Sequence, residues 1–419
     1  MKKQWLKATA LLLSGALLLG FTSCNNDDDD NPTALSLSTL TAGSIDLNGA
    51  TAPNNVPIDP SITATFSTGV DGTTATTANI TLKRDYDNTN IPLNITTSGS
   101  TVTITPSETL ASGAMHKLTL GAGLKSTDGA ALGTAVERIF STDGFFAPSG
   151  MVAYWDFNGD GKDKIDSYDV RDAIDINYVD SRKAAAGKAA QFNGTTSIME
   201  VPGADQLMNT KDFTLSFWVK AQDAGHGQFV MGLAAFHGFQ FELFGGFDGF
   251  KMPVQFDYGD GTSGTGGDFA YNGDGQTKDN GGWRGTIYNK ENTSLPDILM
   301  DKWFHIVYVY NSVTKIRSMF LNGEKVIAQD HNLWYDDDGN PYPERGITGL
   351  KYNGTPPETL PELAFGFVQS RGGTLWDNEP WGGYDFPDAN HFKGLMDDVR
   401  IFHKPLSEAE IQLMYNSEK

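Results

Sequence analysis

The chain has 419 residues, enough for roughly two or three domains. Its 52 Asp and Glu outnumber 31 Lys and Arg, and the net charge of −21 argues against a nucleic-acid-binding surface and against an electrostatic hold on anionic lipid. With 47 Gly and 11% aromatic residues, the composition is typical of a β-rich, loop-rich secreted protein.

The N-terminus predicts an export signal. Lys2, Lys3 and Lys7 precede an apolar run at 8–21, which is short for a membrane span. Small residues then lead to Cys24, the only cysteine in the sequence, so no internal disulfide can form. Residues 1–24 resemble the signal peptide and lipobox of bacterial lipoproteins, which implies that Cys24 is acylated and anchors the protein to a membrane. The alternative is an ordinary signal peptide followed by an unmodified cysteine.

Residues 25–33 predict an acidic tether, with four consecutive aspartates at 27–30. Such a run buries no apolar surface and is typical of a solvated, disordered segment. Its position directly after Cys24 also resembles the surface-export signal of Bacteroidota lipoproteins. That resemblance implies a lipid-anchored outer-membrane protein that faces the cell exterior.

Residues 34–143 predict a small β-sandwich. Short β-branched runs recur at 61–67, 79–83, 101–106, 115–120 and 135–141, separated by Gly, Asn, Asp and Pro. The segments NVPIDPSITATF (55–66), TVTITP (101–106) and LKSTDGAAL (124–132) resemble the bacterial Ig-like module of S-layer proteins. The resemblance implies a spacer, and the absence of clustered His or carboxylates agrees with that role. A linker at 144–149 follows.

A strand and an acidic turn open the second domain, residues 150–419. Residues 152–157 alternate as in a β-strand. Asp156, Asn158 and Asp160 then space oxygen donors two residues apart among glycines, a pattern suited to a hard cation such as calcium. Position twelve of an EF-hand loop would be Ser167 rather than a bidentate Glu, so the pattern predicts a strand that ends in an acidic turn rather than an EF-hand.

Further strands are predicted at 189–193, 197–201, 213–220, 303–311, 316–321 and 392–402. Between 213 and 220 the apolar residues Phe213, Leu215, Phe217 and Val219 form one face of a sheet. The dipeptide at 322–323, Asn-Gly, predicts a tight hairpin. A capping box at 407–410 predicts a short C-terminal helix that ends near Asn416.

The order of six motifs resembles the laminin G-like, concanavalin A-like jelly roll: VAYWDF (152–157), AQFNG (190–194), FTLSFWVK (213–220), WFHIVY (303–308), LNG (321–323) and GLMDDVRIF (394–402). Residues 405–411 match the closing helix of that family. The predicted fold class is therefore all-β, an Ig-like β-sandwich followed by a jelly-roll sandwich with adjacent first and last strands. The motifs indicate fold better than function.

The same resemblance suggests a calcium site between the first and last strands. Alternation places Asp397 on one face with three aliphatic residues (Leu395, Val399 and Ile401), where an unpaired carboxylate would be costly. We therefore predict that four oxygen donors hold a structural Ca²⁺: Asp156, Asn158, Asp160 and Asp397. The alternative is that these are hydrogen-bonded turn residues without a metal.

Three long loops, at 245–300, 334–345 and 372–386, combine aromatic residues with Asp, Asn, Glu, Arg and Gly. Aromatic rings stack on the CH groups of sugars, and neighbouring polar groups bond to the hydroxyls. The loops therefore predict carbohydrate-binding residues, for which we select Trp283, Trp334, Tyr335, Trp376, Trp381 and Tyr384. Each of them taken alone could instead anchor its loop in the core.

No recognised catalytic motif is present. Asp336, Asp337 and Asp338 could join Glu344 or Glu379 in an acid/base pair, although adjacent aspartates are typical of a solvated turn. We predict no enzyme.

The sequence therefore predicts a surface lipoprotein whose spacer presents a lectin-like jelly roll to a polysaccharide or glycoconjugate. Its rivals are a protein-binding or adhesive subunit of an outer-membrane assembly and, third, a glycoside hydrolase.

Overall fold

The computed structural model describes residues 34–165, 167–272, 286–288 and 294–419. These residues form two successive β-sandwiches with two short α-helices in the second. The predicted fold class, an Ig-like sandwich followed by a concanavalin A-like jelly roll, is confirmed. No helix within these described residues is both long and apolar enough to cross a membrane.

The first sandwich contains nine strands. The sheet order β2-β1-β3-β7-β6 faces the order β5-β4-β8-β9. Alternate residues of each strand point into a shared core, as Ile62, Ala64 and Phe66 do in β3. The strands are β1 (Leu37–Ala42), β2 (Ile45–Asp46), β3 (Ile62–Phe66), β4 (Ile80–Arg84), β5 (Asn90–Ile91), β6 (Leu93–Ser98), β7 (Thr101–Pro106), β8 (Met115–Leu120) and β9 (Val136–Ser141).

The second sandwich is larger and its strands pair antiparallel. The elements are β10 (Met151–Trp155), β11 (Asp172–Ile174), β12 (Asn177–Asp180), β13 (Lys188–Asn193), β14 (Ile198–Val201), β15 (Phe213–Ala221), β16 (Gln228–Leu233), β17 (Phe239–Leu243), β18 (Gly249–Lys251), β19 (Phe256–Asp257), β20 (Ser263–Gly264), β21 (Ala270–Asn272), β22 (Thr286–Tyr288), α1 (Leu295–Leu299), β23 (Trp303–Asn311), β24 (Ile316–Leu321), β25 (Glu324–Asp330), β26 (Gly349–Leu350), β27 (Leu363–Phe365), β28 (Lys393–Phe402) and α2 (Glu408–Glu418).

Two large sheets form this sandwich, and a small third sheet has the order β20-β19-β26. Sheet A has the order β12-β13-β28-β15-β23-β24-β25-β22, with β10 also paired to β28, so the first and last long strands are adjacent as predicted. Sheet B has the order β11-β14-β27-β16-β17-β18-β21. The inner faces share one apolar core, to which Phe213, Leu215, Phe217 and Val219 of β15 contribute as the alternation predicted.

The outer face of sheet A is covered by helix α2 and by the first sandwich. Ser407 and Glu410 form the predicted capping box, and the helix continues to Glu418. Ile411 and Met414 of α2 pack with the outer face of sheet A and with Phe146, which lies in the predicted linker. Ala111 and Ala114 of the first sandwich belong to the same apolar cluster. The linker is thus packed between the two domains.

A β-bulge in β28 overturns the predicted alternation of the last strand. Ser216 of β15 pairs with Arg400 and Trp218 pairs with Asp397, so β28 has one extra residue between these two pairs. Asp398 accommodates the bulge with a positive φ of 49°. Val399 and Ile401 face the core, whereas Asp397 does not. The prediction that Asp397 shares a face with these aliphatic residues was wrong because the extra residue reverses the pattern.

Asp397 belongs instead to a buried ion cluster. The guanidinium of Arg182, in the segment between β12 and β13, lies 2.7 Å from Asp397 and also binds Asp398. Arg400 contacts Asp398 at 2.9 Å and Glu418, at the end of α2, at 2.7 Å. The five side chains are at most 7% exposed. The cluster therefore ties the β12–β13 connection, the last strand and the C-terminal helix together.

The cluster contains three carboxyl groups and two guanidinium groups, so one carboxyl must hold a proton for the charges to balance. Burial, and then the neighbouring carboxylate of Asp398, raise the pKa of Asp397 to about 8. Burial opposes ionisation of Asp398 as well, but the guanidinium groups of Arg400 and Arg182 hold the pKa of Asp398 below its usual value. Burial raises the pKa of Glu418 as well, so Asp397 and Glu418 are the two carboxyls of the cluster whose protonated forms are favoured.

We predict that Arg182→Ala destabilises the protein by about 3–5 kcal/mol, because it leaves Asp398 without one of its buried partners. Lys188→Ala provides the control, because the ion pair of Lys188 with Asp180 lies at the surface, with the two side chains 48% and 91% exposed. That control should cost about 1 kcal/mol or less. Urea denaturation measures both free energies of unfolding, and equal losses would contradict the importance of the buried cluster.

Candidate functional site

A loop at 372–386 lies on the outer face of sheet B. Alternation along β14, β16 and β27 turns Ile198, Phe229 and Ala364 outward, and Leu375 of the loop packs on them in a small apolar cluster. Trp376 and Tyr384 contribute to the same cluster while staying partly exposed. The loop is thus held by its own apolar residues on a rigid sheet.

Trp376 and Trp381 form an aromatic wall at the edge of this loop. Their ring centroids are 4.9 Å apart. Trp376 also stacks on Phe229 at 6.2 Å with an interplanar angle of 16°, and Phe236 lies 5.9 Å from it. Trp381 is 38% exposed.

The aromatic wall borders a cleft of about 410 Å³. Its other side is polar and carries Gln240 and Glu242 of β17, Lys251 of β18 and Asp268. The ammonium nitrogen of Lys251 lies 3.4 Å from a carboxylate oxygen of Glu242 and 3.5 Å from one of Asp268. The cleft therefore combines stacking surfaces with charged donors and acceptors.

Burial affects two polar side chains of the cleft, Glu242 and Gln240. Burial raises the pKa of Glu242 above its usual value, although Lys251 opposes the shift. Gln240 is 4% exposed, and its amide nitrogen donates to Glu242 at 3.3 Å. Its amide oxygen is buried without a donor from the residues described. This oxygen is an unsatisfied acceptor beside the cleft.

Tyr384, the third aromatic residue predicted in this loop, lies in a different cleft. Its hydroxyl donates to the carbonyl of Thr196 at 2.5 Å, and burial raises its pKa to about 12. The cleft that it borders has a volume of about 640 Å³ and also contains Asp175 and Arg371. The loop at 372–386 therefore separates two clefts, with Trp376 and Trp381 in one and Tyr384 in the other.

The second predicted loop does not reach the aromatic cleft. Trp334 is 1% exposed and packs on His331, with ring centroids 4.9 Å apart. It is a core residue, and its prediction as a sugar-stacking residue was wrong for that reason. Tyr335 is 44% exposed, but the guanidinium of Arg345 lies 4.0 Å from the centre of its ring. Trp283 lies outside the described residues.

The four residues predicted to bind calcium do not converge on one site. Lys164 places its ammonium 3.2 Å from Asp156 and 3.4 Å from Asp160, between the two carboxylates. The side-chain oxygen of Asn158 accepts from the backbone N–H of Lys188 at 2.7 Å. Asp397 is bound by Arg182, as described above.

No group of three or more His, Cys, Asp or Glu within the described ranges has the arrangement of a metal site. The residues present therefore do not fit the proposed four-donor site. Calcium binding itself stays a prediction, which the dependence of the melting temperature on a chelator would check.

Asp336, one of the carboxylates considered for catalysis, is engaged in a turn. A side-chain oxygen of Asp336 accepts from the backbone N–H groups of Asp338 and Asn340 at 3.0 and 2.7 Å. The hydrogen bond to Asn340 lowers the pKa of Asp336. Asp336 is thus held ionised in a solvated turn, which does not suit a proton donor. The absence of enzymatic activity stays a prediction.

The sequence did not identify the polar side of the cleft. The signal was present in β17, where Phe239, Phe241 and Leu243 alternate toward the core and so turn Gln240 and Glu242 outward. Lys251 and Asp268 gave no comparable signal, because their approach to Glu242 depends on how β18 and the following loop return to the sheet.

Comparison with known proteins finds the two domain types. A family model of the bacterial Ig-like domain matches residues 43–142. A model of the concanavalin A-like lectin/glucanases superfamily matches residues 193–343. No curated protein matches the chain. The predicted resemblances of the two domains are confirmed by these matches.

Several solved structures are similar to 64% of the chain at low sequence identity. The binding domain of Paraclostridial mosquitocidal protein 1 has 16% identity and a TM-score of 0.40 over 52% of its length. A botulinum neurotoxin serotype D ligand-binding domain in complex with N-acetylneuraminic acid has 12% identity and a TM-score of 0.39 over 51% of its length. The chain thus spans about half the length of these two structures.

Domain 4 of AbnA, a GH43 extracellular arabinanase from Geobacillus stearothermophilus in complex with arabinotriose, is matched over 98% of its length, with 19% identity and a TM-score of 0.36. Likenesses at these levels do not identify a ligand for this protein.

We predict that Trp334→Ala costs about 3–5 kcal/mol of folding stability, because it opens a cavity in the core. Trp381→Ala, the same substitution on an exposed residue, should cost about 1 kcal/mol or less. Chemical denaturation of the two variants measures the difference. Similar losses in both would contradict the assignment of Trp334 to the core and Trp381 to the surface.

Proposed function

We propose that the jelly roll binds polysaccharide through the cleft between Trp376, Trp381 and the polar residues of β17 and β18. The observation that carries the proposal is the pairing of a partly exposed aromatic wall with an opposite row of hydrogen-bonding groups. Sugar rings present CH groups on their faces and hydroxyls around their edges, and a cleft with one apolar and one polar side suits both.

The chemistry of the individual groups supports this proposal. The indole N–H groups of Trp376 and Trp381 can donate to sugar oxygens, and the carboxylates of Glu242 and Asp268 can accept from hydroxyls. The ammonium of Lys251 adds a donor on the same side of the cleft. Loop residues that already rest on a sheet lose little conformational freedom on binding, which favours affinity.

The position of the cleft also supports a surface-binding function. The first sandwich and helix α2 cover the outer face of sheet A, whereas the cleft lies on the outer face of sheet B. A spacer attached in this way leaves the cleft open to a ligand. This arrangement suits a domain that is presented away from its point of attachment.

We further propose that the protein is an outer-membrane lipoprotein anchored through Cys24, with residues 25–33 as the tether. Acylation at Cys24 would place the protein in the membrane fraction, from which Cys24→Ala should release it. Asn25→Ala, next to the acylation site, is the control that should stay with the membrane. Fractionation and the mass of the mature N-terminal peptide check this prediction, and membrane retention of both variants would contradict it.

For the cleft, we predict that Trp376→Ala and Trp381→Ala each weaken polysaccharide affinity by about tenfold or more, because each removes a stacking surface. Tyr335→Ala is the matched control, since Tyr335 is an exposed aromatic outside the cleft, and its affinity should not change. Affinity gel electrophoresis against plant, host and microbial glycans measures binding, with thermal melts to verify folding.

If the protein binds none of these glycans, the proposal is rejected. Stable protein partners in a pull-down that is indifferent to Trp376→Ala would favour the alternative of a protein-binding or adhesive subunit.

A further inference from the structure

The polar side of the cleft carries more negative than positive charge. Lys251 is the one basic residue among the described residues that border the cleft, and it is shared by two carboxylates. Its ammonium nitrogen lies 3.4 Å from Glu242 and 3.5 Å from Asp268. With all three groups ionised, the formal charge of this side is one negative unit. Among the residues that the structure describes, a ligand therefore meets no unshared cation in the cleft.

The loop that carries the aromatic wall is itself acidic, and two of its carboxylates, Asp377 and Asp385, border the neighbouring cleft of Tyr384. Asp377, Glu379, Asp385 and Asp388 are all exposed on it or directly after it. Arg371, which precedes the loop, holds Glu200 through its guanidinium at 2.8 Å. The whole chain has a net charge of −21. The nearby carboxylates matter most, because charges are screened beyond about 8 Å at physiological salt.

The hydrogen-bonding groups of the cleft favour hydroxyls over carboxylates. Glu242 and Asp268 accept hydrogen bonds, and acceptors that are charged bond strongly to hydroxyl donors. A carboxylate on a sugar would face these acceptors without a cation of its own, and an unpaired charge in a partly buried site is costly.

From these contacts we infer that the cleft takes uncharged glycans and rejects acidic ones. Glu242, Lys251 and Asp268 are the specificity-determining residues, since they place two acceptors around one shared cation. The inference rests on the proposed function and adds to it the chemical class of the ligand.

The experiment compares one polymer in different charge states. Glucan, mannan, galactan, xylan and arabinan are each tested unmodified, hydroxyethylated and carboxymethylated, so that the hydroxyethyl form controls for the bulk of the substituent. For every polymer that binds, the carboxymethylated form should bind at least about tenfold more weakly than the hydroxyethylated form at about 20 mM salt. The difference in affinity between the two forms should decrease at about 500 mM salt, because screening weakens the repulsion between the carboxymethyl groups and the cleft.

Charge reversal locates the effect in the cleft. Asp268 is 72% exposed, so Asp268→Lys should fold normally and should strengthen binding of the carboxymethylated polymer by about tenfold. Asp128→Lys changes the net charge equally at an exposed turn of the first sandwich and should leave binding unchanged. Equal effects of the two variants would overturn the inference, because the net charge of the protein would then account for the result.

The outcomes separate the inference from the proposed function. If the carboxymethylated polymer binds as tightly as its hydroxyethylated form at low salt, the inference is overturned and polysaccharide binding stands. If no unmodified polymer binds, both the proposed function and the inference that rests on it are rejected.

Discussion

A two-sheet sandwich can bury only one face of each sheet against the other. The rest of this structure depends on which segments cover the two outer faces. The inner faces share a core of aromatic and aliphatic side chains. On sheet A the outer face is covered by helix α2, the packed linker residue Phe146 and the first sandwich. On sheet B the loop at 372–386 covers the outer face in part. Because the covering is incomplete there, a cleft with an aromatic wall is left open beside Gln240 and Glu242.

The covered side depends on a buried ion cluster as well as on apolar packing. Arg182 and Arg400 join the last strand to the end of helix α2 through Asp397, Asp398 and Glu418. A cluster that is buried and nearly balanced in charge fixes the position of its members, because separating any pair leaves a charge without compensation. The bulge in β28 is what turns Asp397 and Asp398 to the outer side of sheet A. The helix that they hold also contacts the first sandwich.

The open side shows why residue type alone does not define a binding site. Trp334 and Trp381 both come from long, acidic, glycine-containing loops. Trp334 is buried against His331, whereas Trp381 borders the cleft and keeps 38% of its surface exposed. The difference lies in what packs on each ring. Likewise, Glu242 is set apart from other acidic residues by its burial on a rigid strand and by the nearby ammonium of Lys251.

The all-β fold, the strand alternation of β15 and the capping box at Ser407 could be predicted from the sequence, because each depends on residues a few positions apart. The tertiary structure decided that Asp397 pairs with Arg182, a partner 215 residues away, and that one extra residue reverses the face of β28. It also decided which tryptophans are exposed and which polar groups meet them. These properties depend on contacts between distant segments, for which local periodicity carries no signal.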